Sequence, residues 1–385
     1  MIRSQPDILV IGGGIAGASA AAELARTHRV VVLEAEAAPG YHSTGRSAAV
    51  FSETYGNRAV RALTRASRDF FHQPPTQFSP YPLLKRRSWL HVASEAQAFA
   101  LEGFLAMEDV ALRVSRIGQA EVLALSPLLK PETAAAGGAY ERDAADIDVD
   151  AVHQGYLRLL RHRGGTVLTD AQVTSLARRG GKWLLESTAG AFQAAVVINA
   201  AGAWADAVAA LAGIEPMRIQ ACRRTAVLVE LAGEPISDAW PLTIDIEEAY
   251  YFKPDAGLLL ISPADETPVE PCDVQPEELD VAIAIDRVEK ATRASIGRVR
   301  RKWAGLRSFA PDRSPVIGFD EAAPGFFWLA GQGGYGIQTA PAAAALTAAL
   351  VRDDARPPEL ASFDPSEVSP ARFTGSQRPA TDRRS

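Results

Sequence analysis

A strand, a glycine turn and a helix of small residues open this chain, and few folds accept that order. Ile8-Leu9-Val10-Ile11 runs into Gly12-Gly13-Gly14-Ile15-Ala16-Gly17, then Ala18 to Ala25, then a second apolar run from Val30 to Leu33 that ends at Glu34. Glycines at 12, 14 and 17 fit the GxGxxG pattern of a βαβ nucleotide-binding unit, and an acid follows at the expected distance. Each residue has a task. Gly12 permits the tight turn, Gly14 lets the backbone approach a pyrophosphate, and Gly17 lets the helix pack closely on the sheet. Ile15 and Ala16 begin the helix, whose N-terminus offers unpaired N–H groups and the positive end of a dipole to phosphates. Glu34 can accept hydrogen bonds from ribose hydroxyls, and its charge disfavours a 2′-phosphate. The pattern predicts a bound dinucleotide, argues against NADP, and leaves FAD and NAD open. A glycine turn without a ligand would need all these parts in register by accident.

Two later segments repeat the pattern of an apolar run entering small residues. Ala195 to Ile198 precedes Asn199-Ala200-Ala201-Gly202-Ala203-Trp204, and Phe326 to Ala330 precedes Gly331-Gln332-Gly333-Gly334-Tyr335-Gly336. Continuous apolar runs mark buried parallel strands, so one parallel sheet is expected, assembled from distant pieces. Residues 219–262 read differently, as antiparallel β structure. There Tyr250-Tyr251-Phe252 meets Leu258 to Ile261 across Lys253-Pro254-Asp255-Ala256-Gly257, a hairpin signal. The predicted class is α/β. Residues 1–80, 145–215 and 305–368 form a discontinuous Rossmann-like domain, and 81–144 and 216–304 form an inserted antiparallel-β-rich (α+β) substrate domain. Residues 369–385 are polar and are expected to be a disordered tail.

Charge and cysteine content narrow the partners. A formal net charge of -6 without a basic patch argues against nucleic acid. Two cysteines, Cys222 and Cys272, make no disulfide framework and no metal-site spacing, so no metal is expected and the context reads as reducing and cytoplasmic. The run from Ile8 to Ala25 is too short and too weakly apolar to cross a bilayer, so no integral membrane segment is expected.

The segment Pro39-Gly40-Tyr41-His42-Ser43-Thr44-Gly45-Arg46-Ser47-Ala48-Ala49 resembles the flavin-contacting stretch of the D-amino acid oxidase/glycine oxidase family, most of all its bacterial D-arginine dehydrogenase branch. The resemblance extends over nearly the whole chain. It runs through Ala145 to Asp148, His153 to Leu157, Asn199 to Trp204, Trp303 to Phe309 and Gly331 to Thr339. It implies FAD as the cofactor, so the Rossmann-like domain becomes the FAD-binding domain. It also implies a reaction in which flavin N5 takes a hydride from the substrate α-carbon. The product is an imino acid, which water hydrolyses to a 2-oxo acid and ammonia, a catabolic oxidative deamination. The cofactor set it implies is Gly12, Gly14, Ile15, Ala16, Gly17, Glu34 and Ala35 at the first turn; His42, Ser43, Thr44, Arg46, Ser47, Ala48 and Ala49; then Val173, Ala201, Gly202 and Trp204; and Gly334, Tyr335, Gly336, Ile337 and Gln338 at the third glycine loop.

On the substrate side the resemblance places Arg307 as the clamp on the substrate carboxylate, with Tyr55 and Tyr251 reaching it and Arg224 as a second pocket arginine. Ser52, Gly334 and Gln338 belong to the same set. A guanidinium fork suits a carboxylate because it donates two parallel hydrogen bonds. Arginines and tyrosines of this kind also serve as surface charge or as core packing. No general base is expected if the amine binds neutral. The chain departs from the arginine-specific branch at two positions. Trp89 replaces a glutamate that pairs with a cationic substrate end, and Val50 replaces a histidine. A cation desolvated without its partner costs several kcal/mol, so the expected substrate is an apolar, aromatic or cyclic D-amino acid. Residues 303–312 hold no cysteine, so FAD is expected to be non-covalent. A secondary-amine or N-methyl amino acid oxidase, a 2-hydroxy acid dehydrogenase, or a non-catalytic nucleotide-binding protein would share parts of this pattern. The electron acceptor, quinone or oxygen, stays open.

Overall fold

The computed structural model describes residues 2–373 apart from 234. At its centre is a six-stranded sheet whose neighbours run Thr166–Leu168, Val30–Leu33, Ile8–Ile11, Val196–Asn199, Phe326–Ala330 and Val316–Phe319. The three apolar runs are therefore adjacent and parallel, Ile8 opposite Val196 and Val197 opposite Phe326. Only the edge strand Val316–Phe319 runs antiparallel. Helices Ile15–Leu24, Val149–His162 and Gly336–Arg352 cover one face, burying a core that includes Leu24, Tyr156, Phe327 and Leu346. Alanines at 18, 20, 21 and 22 are fully buried, which is why the first helix carries almost no large side chain. It has no room for one.

The other face is covered by a part the sequence reading did not anticipate. Val173–Arg179, Lys182–Ser187 and Gly190–Ala194 form an antiparallel meander, to which Ile2–Ser4 adds in parallel. Trp183, Leu185 and Phe192 of the meander pack against Leu9, Val197 and Trp328 of the central sheet.

A nine-stranded sheet makes up the β-rich part. Its spine is the long pair Gln220–Leu231 and Ile296–Phe309, antiparallel with Cys222 opposite Arg307 and Arg224 opposite Gly305. The expected hairpin is present as Tyr251–Asp255 and Leu258–Ser262. Its turn is shorter than the sequence suggested: Pro254 and Asp255 stay in the strand, and Ala256 and Gly257, both at positive φ, make a two-residue link. That conformation matches the twist of a hairpin. One pair in this sheet is parallel, Leu242–Asp245 beside Trp89–Ala93, with Leu242 opposite Trp89. Residues 369–373 do not behave as the expected tail. Pro370–Phe373 form a short 3-10 turn, and Arg372 bonds Asp312 and the Ser314 carbonyl. The rest of that segment lies outside the described residues. Among the described residues no helix is long and apolar enough to cross a membrane.

Candidate active site

One elongated cavity of about 760 Å³ runs from the first glycine turn to the long strand pair of the β-rich sheet. At one end the backbone makes the walls. Gly12 has φ +103°, and a Cβ there would lie 2.4 Å from the Ala200 carbonyl oxygen. A Cβ on Gly17 would lie 1.9 Å from the Gly12 oxygen, so Gly17 supports the turn from behind and does not line the cavity. The helix that follows has no acid in its first turn and no side-chain cap from Gly14. The Thr44 hydroxyl takes the Ile15 N–H at 3.0 Å. Glu34 is fixed by accepting the Gly13 and Glu36 N–H groups at 2.7 and 2.9 Å, with its carboxylate in the wall. His153 bonds the Gly13 carbonyl, and burial lowers its pKa.

Further along, the sides are formed by Ala35 and by the 42–49 segment, with Val173, Ala201, Gly202 and Trp204 opposite and Gly336, Ile337 and Gln338 beyond. His42 lies 4.6 Å from Trp204 ring to ring and bonds Glu36. Ser43 donates to the Leu306 carbonyl. Arg46 lines the cavity, yet its guanidinium holds the Val274 and Ala304 carbonyls and pairs with Asp273, tying the 42–49 segment to the β-rich sheet. Buried polar atoms without a protein partner test whether this channel suits a dinucleotide. Nδ1 of His42 and Nε2 of Gln332 and Gln338 are all such atoms, and all three residues line it. Buried polar groups are rarely left unpaired, so a ligand rich in hydrogen-bonding atoms fits. Gln332 had no role in the sequence reading, although it sits inside a quoted glycine string.

At the far end the walls are side chains. Arg307 is half-buried and donates to the Tyr55 hydroxyl at 2.9 Å. Burial opposes its charge, while the Tyr55 and Tyr251 hydroxyls favour it and leave its pKa raised. Gly334 packs on the guanidinium: a Cβ there would lie 2.6 Å from Arg307 Cζ. Facing this pair is an apolar box of Val50, Trp89, Leu242 and Ile244, with Tyr55 and Tyr251 at its rim. The Trp89 and Tyr55 rings lie 5.0 Å apart. Leu242 and Ile244 escaped sequence reasoning because no motif marks them; the parallel pairing with Trp89–Ala93 is what brings them here.

Besides Gly17, three expected site residues are placed otherwise. Ser52 is fully buried and outside the cavity wall, because its hydroxyl is drawn 2.6 Å to Glu141, a buried carboxyl whose pKa burial raises. Its contribution is indirect: the Ser52 N–H donates to Gln338 Oε1. The Tyr335 side chain points away from the cavity into a cluster with Val60, Cys222 and Phe309. Arg224 is in the wall, but its guanidinium already holds the Asp265 carbonyl and Glu266, and it borders a second cavity. Cys222 is not part of the main cavity wall. Among the described residues no cluster of histidine, cysteine and acids could hold a metal.

Comparison with known proteins follows the same lines. The family model described as FAD dependent oxidoreductase matches residues 7–350. Hydrogen cyanide synthase subunit HcnC of Pseudomonas aeruginosa is 26% identical over 219 residues, covering 56% of this chain and 51% of that protein. The chain thus spans about half the length of the curated relatives it first matches. L-proline dehydrogenase from P. horikoshii superposes with a TM-score of 0.82 at 21% identity, covering 96% of this chain and 98% of the other. Glycine oxidase from Geobacillus kaustophilus gives 0.81 at 20%, covering 96% and 100%. At such identities these two solved structures share the fold.

Proposed function

This chain belongs to the family of FAD-dependent oxidoreductases, and on that premise we propose that it oxidatively deaminates an amino acid, of the D series, whose side chain is apolar, aromatic or cyclic. One observation carries the proposal: a guanidinium–phenol pair, Arg307 with Tyr55, lies against a box of Val50, Trp89, Leu242 and Ile244, and among the described residues the only acids lining the cavity are Glu34 and Glu36, at the dinucleotide end. Bound FAD supplies the two-electron acceptor. The chain's own residues do the rest. Glu34 and the N-terminal turn of the helix after Gly14 would hold the ribose and phosphates, and the unpartnered amide nitrogens of Gln332 and Gln338 would donate to the cofactor.

Arg307 grips the carboxylate, with each charge-assisted hydrogen bond contributing about 1.5–3 kcal/mol. Tyr55 accepts from Arg307, so its own proton is free to point at the same carboxylate. Tyr251 closes the other side. With the carboxylate fixed and the side chain against Trp89, the Cα–H bond has one orientation, which is the entropic part of the catalysis. The α-carbon loses its hydrogen with two electrons and the nitrogen loses a proton to solvent; water then hydrolyses the C=N bond, to the 2-oxo acid and ammonia for a primary amine, or to the ring-opened amino 2-oxo acid for a cyclic one.

The test is anaerobic bleaching of the flavin by both enantiomers of Arg, Phe, Met and Pro, followed by an oxygen challenge. D-Phe, D-Met or D-Pro should reduce it faster than D-Arg, and Trp89→Glu should shift the preference toward D-Arg. A wild type that prefers D-Arg, or a Trp89→Glu variant that gains nothing with it, would overturn the reading.

A further inference from the structure

Trp89 has one polar atom, and the direction it faces decides what kind of wall the substrate meets. Indole Nε1–H can only donate. It bonds His91 Nε2 at 3.2 Å, and His91 is not part of the main cavity wall. Both residues are on the strand Trp89–Ala93, two apart, so their side chains share a face of the sheet. The donor fixes the tautomer of its partner. His91 Nε2 must accept, so the ring proton is on Nδ1.

Only a neutral ring can accept in this way, and burial keeps it neutral: the His91 side chain is 5% exposed and its pKa is lowered to about 3. The Phe104 ring, 4.4 Å away, holds the imidazole from the other side. Nδ1 is buried without a protein partner, and the residue borders the second cavity, of about 620 Å³. The imidazole therefore lies behind the indole, with its one occupied acceptor turned toward it.

We infer that His91 is the positioning residue for side-chain specificity: by accepting the only polar hydrogen of the Trp89 side chain, it holds an apolar indole face toward the substrate. This rests on the reading of the substrate end given above. Without an acceptor, a buried indole N–H is costly to leave unpaired. It would turn toward whatever acceptor the cavity or the substrate offers, and the box would gain a polar wall.

Two substitutions separate the acceptor from the ring. His91→Phe keeps an aromatic against Trp89 and Phe104 but cannot accept. His91→Gln loses the ring but keeps an oxygen that can. The probes are the methionine enantiomer that the wild type turns over and the same enantiomer of glutamine, similar in length but polar. The readout is the ratio of their kcat/KM values, with FAD content and Tm measured alongside. The ratio should fall about tenfold in His91→Phe, chiefly through KM for methionine, and stay near wild type in His91→Gln. In a Trp89→Phe background, which has no N–H to satisfy, His91→Phe should leave the ratio unchanged. If the single His91→Phe variant does not hold FAD, His91→Leu, which also cannot accept, takes its place with the same expected fall. An unchanged ratio in His91→Phe, an equal fall in His91→Gln, or the same fall without the indole would overturn the inference. A wild type that fails to prefer methionine over glutamine would instead overturn the apolar-substrate reading, and the inference with it.

Discussion

The two ends of the main cavity are built by different means. At the dinucleotide end the chain's backbone makes the wall at the glycine turn. Gly12, Gly14 and the helix after them lie within a few residues of one another, and their constraints are steric: a turn at positive φ, and a carbonyl within 2.4 Å of where a Cβ would be. At the substrate end nothing is local. Tyr55 lies within the connection between Val50–Phe51 and Arg58–Ala66, Trp89 and Leu242 are opposite each other on parallel strands, and Arg307 comes from the long strand Ile296–Phe309. A backbone wall tolerates no added atom, whereas a side-chain wall can be rewritten residue by residue. A fold that keeps its cofactor while changing its substrate would be expected to divide the work in this way.

The sharpest way to break the comparison is to add one carbon at the backbone end. Gly17→Ala would put a methyl 1.9 Å from the Gly12 carbonyl oxygen, a backbone atom that cannot move aside, with the Val10 side chain at 3.2 Å. Overpacking costs about 1–3 kcal/mol and occasionally more, and an unyielding carbonyl puts this site at the upper end, so the purified variant should lose its flavin absorbance and much of its Tm. A variant that retained FAD in full would show that this end is not sterically set.

At the substrate end the largest effect should come from Arg307→Lys, which keeps the charge and loses the fork. One bidentate bond is lost, so kcat/KM should drop about 10- to 100-fold, with FAD content and Tm held near wild type. Gly334→Ala links the two ends, because this glycine carries both a backbone loop and the approach to a side chain. Its methyl would meet the Arg307 guanidinium at 2.6–2.8 Å, and that flexible side chain can shift where a carbonyl cannot. The expected result is KM up about fivefold to tenfold, through a misplaced carboxylate, with Tm little changed. A Tm loss as large as that of Gly17→Ala would erase the distinction between the two kinds of wall.

The same contrast explains what was legible in the sequence. The turn, the three parallel runs and the hairpin are encoded in neighbouring residues, so periodicity and glycine spacing reveal them. Val50, Trp89, Tyr55, Tyr251 and Arg307 could be singled out only because they fall in strings with a family likeness. Leu242, Ile244 and His91 belong to the same wall and its backing but carry no local mark. Their meaning depends on which strand pairs with which, and that is decided by burial across the whole sheet. Ser52 was misplaced for a related reason. It is close in sequence to cavity residues, but Glu141, its partner through space, is far away in the chain. The meander of residues 173–194 went unread because its first two strands bury only Leu176, Trp183 and Leu185, too few to set up an alternating pattern.

The smallest effect concerns His91, and it tests the backing of the side-chain wall through stability. Its folded pKa is about 3 because burial penalises the charged ring; in the unfolded chain it is the ordinary 6.5 or so. The depressed value means that its contribution to stability is present in full above the unfolded pKa. That contribution is lost as pH falls below about 6.5, where the unfolded chain takes up a proton that the folded one refuses, and the loss levels off below about 3. Between pH 8 and pH 6 the wild type should therefore lose about 0.8 kcal/mol more than His91→Gln, which has no ring to protonate. Urea unfolding of the two proteins at both pH values measures this, and the other histidines cancel in the difference. Equal losses would mean that the imidazole behind Trp89 is reached by protons in the folded state, and a ring so reached could not hold the indole in place.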